Sequence, residues 1–320
     1  MPLLTNSTYR PPLWARNAHV NTVLSAIGRQ VTDITYERER LTTPDDDFLD
    51  LDWFRSGNKR LLVVLHGLEG STDRPYMRGM VRCAGDNNWD ALALNFRGCS
   101  GEDNRQVRTY HMGETSDLNY VVWYALEKRN YASVALAGFS LGGNVVLMYL
   151  GRDRSDVPDA VVGGVAFSVP CHIPSANDCI NNWENAVYRY RFMRTLNQKL
   201  RQKAMRFPEV LPNPAVKSTD FFSFDDYFTA PVHGFSDAQD YWESCSSLLY
   251  LPDIQKPTLL INAWDDTFLS RECYPEKLAA KHPSFYLEVP RWGGHVGFYT
   301  PGERYFWSEK RALEFLNSIS

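Results

Sequence analysis

Hydrophobic and polar positions follow two rhythms along this chain. The first is a set of short runs that are apolar at nearly every position: 61–65, 91–96, 133–137, 161–167, 258–262 and 285–289. Runs of that length with apolar side chains on both faces predict strands buried on both sides. Between them the apolar positions recur at helical spacing, over 76–85, 117–128, 144–150, 271–281 and 303–318. In 117–128, Leu118, Val121, Val122, Ala125 and Leu126 fall on one stripe. Strands alternating with helices predict an α/β fold with a mostly parallel sheet covered on both faces. One stretch departs from this. In 48–54, Leu49, Leu51 and Trp53 alternate with Asp50 and Asp52, which predicts a half-buried strand. With 31–41 it forms an antiparallel N-terminal hairpin at a sheet edge, across a solvated turn at Pro44-Asp45-Asp46-Asp47.

The rhythm stops at Pro170 and resumes at Pro257. The pattern therefore divides the chain into a first core part (1–169), an inserted helical cap (170–256) and a second core part (257–320). Within the cap, 181–206 reads as one long helix, and 220–250 as an aromatic, loop-rich segment. Residues 1–30 are polar and proline-rich, then weakly helical, and Pro11-Pro12-Leu13-Trp14 is expected to lie as an arm across the body.

Composition narrows the class. The 320 residues are 44% hydrophobic and 22% charged, as in a soluble globular protein large enough for a substantial core. A net charge of -4 gives no reason to expect a nucleic-acid partner. The first residues lack the apolar core of a secretory signal, and no run is long enough to span a membrane. The six cysteines are scattered without a C-x-x-C pair, so reduced thiols, a cytoplasmic location and no metal site are expected. No cofactor motif is present.

The candidate chemistry centres on Gly138-Phe139-Ser140-Leu141-Gly142-Gly143, a G-x-S-x-G pattern between a strand and a helix. The bare pattern occurs by chance in roughly one chain of this length in ten, so its flanks carry the argument. Strand, sharp turn and helix together form a nucleophile elbow, with glycines where a side chain would clash and the serine exposed at the tip. A hydroxyl is a poor nucleophile near neutrality and needs a base. His295, in Gly293-Gly294-His295-Val296-Gly297 after the last strand, is the candidate. An acid should follow the strand at 258–262. Asp265 and Asp266 compete there; Asp266 is the choice, with Asp265 a turn residue. The order Ser140, Asp266, His295 is that of the α/β-hydrolases. The oxyanion hole should use the backbone N–H groups of Leu141 and Leu68, the latter in His66-Gly67-Leu68, with His66 structural.

Taken together, these segments resemble the YheT-like branch of the α/β-hydrolases, which includes the plant embryogenesis-associated-type esterases. The resemblance is carried by His66-Gly67-Leu68-Glu69-Gly70-Ser71 and by residues 95–102, 138–144, 229–235, 262–266 and 293–298, and it covers most of the chain. It implies a serine hydrolase of carboxylic esters, with acylglycerol lipases, phospholipases and ester-forming enzymes among relatives, and it supports Asp266 over Asp265. Relatives often carry Pro after that aspartate. Thr267 stands there in this chain and should leave the loop less fixed. Eukaryotic relatives carry a membrane-anchoring N-terminus, and this chain shows no such segment.

The expected function is hydrolysis of short- to medium-chain carboxylic esters, acylglycerols among them, through an acyl-serine. An acyltransferase with an alcohol acceptor, or a catalytically silent binding protein on the same fold, are the alternatives. The expected partner is a small ester or lipid molecule. In 181–206, Phe192, Met193, Leu196 and Leu200 share a stripe beside many Arg and Lys residues. The expected role of that stripe is burial on the core. Peripheral contact of the basic face with an anionic lipid surface is the less favoured reading.

Overall fold

A strand with apolar side chains at every position can only be satisfied between two layers. The run from Leu61 to Leu65 meets that condition at the centre of the sheet. The computed structural model describes all residues except 1, 2, 212, 214, 216 and 320. Its nine strands are β1 (Leu3–Leu4), β2 (Glu37–Thr42), β3 (Phe48–Phe54), β4 (Arg60–Leu65), β5 (Asp90–Leu94), β6 (Ser133–Phe139), β7 (Val161–Phe167), β8 (Thr258–Ile261) and β9 (Phe285–Glu288). They form one sheet in the order β1-β9-β8-β7-β6-β4-β5-β3-β2. Every pairing from β1 to β5 is parallel; β3 joins β5, and β2 joins β3, antiparallel.

Alternate residues of β4 feed two separate cores. Leu61, Val63 and Leu65 pack with α3 (Ser116–Arg129) and α4 (Leu141–Gly151) on one face. Leu62 and Val64 pack with α2 (Pro75–Asp86) and the closing helix Trp307–Ile319 on the other. The result is a mostly parallel sheet covered on both faces, with an antiparallel hairpin at one edge.

Several local expectations are corrected. The strand β3 is not half-buried, because Asp50 and Asp52 are buried as well as its leucines. The reason is register: Arg40 stands opposite Asp50 and Arg38 opposite Asp52, and each guanidinium grips its carboxylate with two bonds of 2.7–2.8 Å. The acidic turn is not simply solvated. Asp47 is fully buried, and Arg97 bonds Asp45 at 2.6 Å, Asp47 at 3.2 Å and both oxygens of Asp117 at 2.7 Å. The long helix expected over 181–206 is present but starts later, as α6 (Ala186–Arg206), because Asn182 is extended and separates it from a preceding helix, α5 (Ile173–Asn181). The loop-rich segment contains short helices at Phe221–Phe224, Ala230–His233 and Ala238–Ser244; Asp220 and Asp237 cap the first and last. At the N-terminus, α1 (Ala18–Ile27) follows an arm that packs down at Tyr9, Pro11 and Ala15, with Trp14 half exposed against Tyr299 (5.9 Å) and Leu13 turned to solvent.

The segment between β7 and β8 lies over the carboxyl ends of the strands. Lys203 of α6 is buried and donates to the carbonyls of Asn104 (2.9 Å) and Gln106 (2.7 Å), in the loop after β5. Asn144 of α4 donates to the carbonyls of Met112 and Cys245, tying both segments to the elbow helix.

Breaking the Arg97 cluster should be costly, because removing one partner leaves buried charges uncompensated. Arg97→Met is expected to lower the unfolding free energy in urea by roughly 3–5 kcal/mol. Arg154→Met, whose ion pair with Asp253 is exposed on both sides, should cost much less. Equal losses would contradict this account of the acidic turn.

Candidate active site

The tightness of the turn between β6 and α4 fixes the site. Ser140 has φ 52°, ψ −117°, a strained conformation for a residue with a side chain. A Cβ at Gly138 would lie 2.3 Å from the Gly142 carbonyl oxygen, and one at Gly142 would lie 2.5 Å from that of His66. Both positions therefore require glycine. The turn is held from below by the Ser140 N–H, which donates to the Phe167 carbonyl at 2.8 Å.

The structure brings the three sequence-derived side chains together. Ser140 Oγ–H donates to His295 Nε2 at 2.9 Å, and His295 Nδ1–H donates to Asp266 Oδ2 at 2.9 Å. Asp266 is buried, and its other oxygen accepts the Phe268 N–H at 3.0 Å. The Phe268 ring stacks on the imidazole, 4.3 Å between centroids. An ionised carboxylate only accepts, so it holds the proton on Nδ1 and leaves Nε2 free to receive one from the serine.

The oxyanion candidates are placed by a loop that spends its other donors. In the loop after β4, the Gly67 N–H donates to the Tyr76 hydroxyl (3.1 Å), Glu69 N–H to the Tyr110 hydroxyl (2.9 Å) and Gly70 N–H to the Gly67 carbonyl (3.0 Å). Leu68 keeps an uncommitted amide. So does Leu141, the first residue of α4, where the helix dipole favours negative charge. His66 is structural in its contacts: Nδ1–H donates to the Gly67 carbonyl at 2.7 Å, and Nε2 accepts the Phe96 N–H at 3.2 Å. Burial pushes its pKa down to about 4, so it stays neutral.

Asp265 does more than make a turn. Its Oδ1 accepts the Gly294 N–H at 2.9 Å and so anchors the histidine loop. Burial pushes its carboxyl up to about 6. Three further anchors have no sequence signal. The Thr22 hydroxyl of α1 accepts the His295 N–H at 2.8 Å, and the Ser168 hydroxyl accepts the Val296 N–H at 2.8 Å. Thr267 and Asn185 exchange two bonds of 2.8 Å, which fix the Asp266 loop that was expected to be loose.

Ser140 and His295 open into a cavity walled largely by apolar side chains, among them Leu68, Ile173, Phe192, Phe228 and Phe268. Met193, Leu196 and Leu200 of α6 are buried, as expected of that stripe. One edge is polar: Lys199 bonds Glu69 at 2.7 Å, and Tyr110 donates to the same carboxylate oxygen at 2.7 Å.

One group of side chains here has metal-ligating chemistry. One ligand atom each from His111, Glu114 and His233 lie within 4.8 Å of one another. Their present bonds point to a polar clasp instead. Arg108 pairs with Glu114, and His111 Nδ1 accepts the Gly113 N–H at 3.1 Å, which leaves its Nε2 protonated toward the carboxylate. Burial keeps both histidines neutral, at about 4 and about 3.

Comparison with known proteins agrees with the fold. Residues 60–301 match the model of the alpha/beta hydrolase fold family. The chain is 36% identical over 311 residues to YheT of Escherichia coli (strain K12), named as a candidate esterase, covering 94% of this chain and 91% of that one. It is 26% identical to human phospholipase ABHD3 (93% and 75% covered) and 25% identical to human monoacylglycerol lipase ABHD2 (99% and 81% covered). Among solved structures, the esterase Pf2001 of Pyrococcus furiosus superposes with TM-score 0.61 at 20% identity, over 91% of this chain and 97% of that one.

The Thr22 contact can be tested. Thr22→Val removes the hydroxyl at nearly constant volume, and the loss of one buried hydrogen bond is worth about 1–2 kcal/mol. The reaction of Ser140 with a small electrophile should slow by about tenfold, while Thr22→Ser keeps the wild-type rate. Equal rates in both variants would remove α1 from the account of the site.

Proposed function

The chain belongs to the YheT-like branch of the α/β-hydrolase family, and on that footing we propose that it is a serine hydrolase of carboxylic esters. The observation that carries the reading is the unbroken relay from Ser140 Oγ through His295 to buried Asp266, with 2.9 Å at each step. The uncommitted amides of Leu68 and Leu141 add to it. In the proposed reaction His295 Nε2 takes the Ser140 proton as Oγ attacks the ester carbonyl. Asp266 keeps the imidazole oriented and stabilises its charged form. The N–H groups of Leu68 and Leu141 receive the oxyanion. The imidazolium then protonates the leaving alcohol. Water repeats the sequence on the acyl-serine and releases the acid.

The apolar cavity supports an acyl chain as the part of the substrate held beside Ser140. This fits carboxylic esters of short to medium chain length, acylglycerols included. The relatives named as phospholipase and monoacylglycerol lipase are consistent with a lipid ester as substrate.

Replacing the nucleophile tests the reading. Ser140→Ala should lower turnover of a short-chain nitrophenyl ester by on the order of 10⁴-fold or more with the fold intact. Asp266→Asn, which favours the wrong imidazole tautomer, should cost on the order of 10³–10⁴-fold. Asp265→Asn still accepts the Gly294 N–H and should stay within about tenfold of wild type. Activity of Ser140→Ala within tenfold of wild type, or a larger effect at Asp265 than at Asp266, would contradict the assignment.

A further inference from the structure

We infer that the outward faces of α6 and α1 form a docking surface for an anionic lipid bilayer, set beside the mouth of the cavity. The first observation is spacing. Val187, Tyr190, Arg194, Arg201 and Met205 recur at intervals that keep them on one side of α6, with Trp183 on the turn before it, while Met193, Leu196, Leu200 and Ala204 form a second stripe. The second set is buried. In the first, Trp183 is 88%, Val187 77% and Tyr190 71% exposed. The outward face of a helix on a globular protein is ordinarily polar. Large apolar and aromatic side chains followed by arginines have instead the composition of an interfacial anchor.

The second observation is that α1, which touches α6, is apolar on its own solvent side. Val20, Val23 and Ile27 share its solvent side, and Leu13 and Trp14 are exposed on the turn before it. The two helices meet where the Tyr188 hydroxyl bonds His19 Nδ1 at 3.2 Å and the two rings stack. That seam leads to the site. Tyr188 packs against Phe268 (5.0 Å), and Phe268 stacks on His295 (4.3 Å). A surface seated on these helices would deliver its molecules to Ser140.

Charge selects the occupant. No acid lies within α6, and the turn before it carries one, Glu184, beside Trp183. Lys199 pairs with Glu69, Lys203 and Arg206 pair with Asp103, and Arg189 donates to the Asn181 carbonyl. Arg191, Arg194 and Arg201 have no side-chain partner among the described residues, and α1 carries no charge. A second copy docked about a twofold axis would set this positive patch against itself. An anionic bilayer attracts it and receives the apolar side chains between its headgroups. None of the helices, among the described residues, is long and apolar enough to cross a membrane, so the contact is peripheral.

The test uses the full chain carrying Ser140→Ala, so that lipid binding is read without turnover. The protein is co-sedimented with vesicles of phosphatidylcholine plus phosphatidylglycerol, and with pure phosphatidylcholine, at low and high salt. Binding is expected on the mixed vesicles and should weaken as salt rises. Arg194→Glu with Arg201→Glu should weaken it by about tenfold or more. Trp183→Ser with Tyr190→Ser should abolish the fraction that survives high salt. The same four substitutions placed in the Ser140 protein should leave turnover of a soluble short-chain ester unchanged. No binding to mixed vesicles at low salt, or binding that these substitutions leave intact, overturns the proposal. So does sedimentation velocity that finds a dimer lost in the same variants without vesicle binding. Vesicle binding by a protein that turns over no ester would overturn the esterase reading alone.

Discussion

The close approach of Gly142 to the carbonyls of His66 and Leu65 is the constraint on which the site depends. It brings the start of α4 against the end of β4, so that the strained serine and the loop after β4 are neighbours by construction. A methyl group at Gly142 would meet those oxygens at 2.5 and 2.6 Å. The packing joins the proposed nucleophile, a helix N-terminus and a loop amide with no acceptor among the described residues, without the help of any long side chain. The layers around it supply the rigidity to hold Ser140 at positive φ. Two cores, each built from alternate residues of the same strands, clamp the sheet from both sides.

The histidine loop depends on a different principle. Beside the apolar anchor of Phe298, buried in one of the two cores, it is held by hydrogen bonds from elements far apart in sequence. Thr22 holds the backbone of His295, Ser168 that of Val296 and Asp265 that of Gly294. The segment over the strand ends adds the Asn185–Thr267 exchange beside Asp266. Helix α1 therefore serves twice. Its inner face holds the backbone of His295, the proposed base, and its outer face forms part of the surface proposed for lipid.

The sequence was most legible where a residue's role is set by its immediate neighbours. The fully apolar runs give the parallel strands, β7 to the residue, the alternating run gives antiparallel β3 to the residue, and the glycines around Ser140 and His295 mark two of the three side chains that the fold brings together. Legibility failed where the partner is distant. Nothing near Asp50 and Asp52 in sequence reveals that Arg40 and Arg38 stand opposite them and permit their burial. Nothing near Asp47 reveals Arg97. The two-residue strand β1 is too short to show a period, and its place at the sheet edge follows only from pairing with β9. Thr22 and Asn185 are ordinary polar residues until the fold brings them to the loops they brace. The basic side of α6 was legible, but the exposed apolar residues beside it were not, because they share the helix with a second, buried stripe, which blurs the single-period signal.

The central claim is that Ser140 is activated by its surroundings, and labelling tests this most directly. Wild-type protein treated with a small fluorophosphonate and weighed intact by mass spectrometry should gain one adduct, mapped by peptide analysis to Ser140. His295→Ala should slow that labelling by on the order of 10³-fold or more, because the hydroxyl then lacks its base. No adduct, an adduct on another residue, or a labelling rate indifferent to His295 would contradict the account.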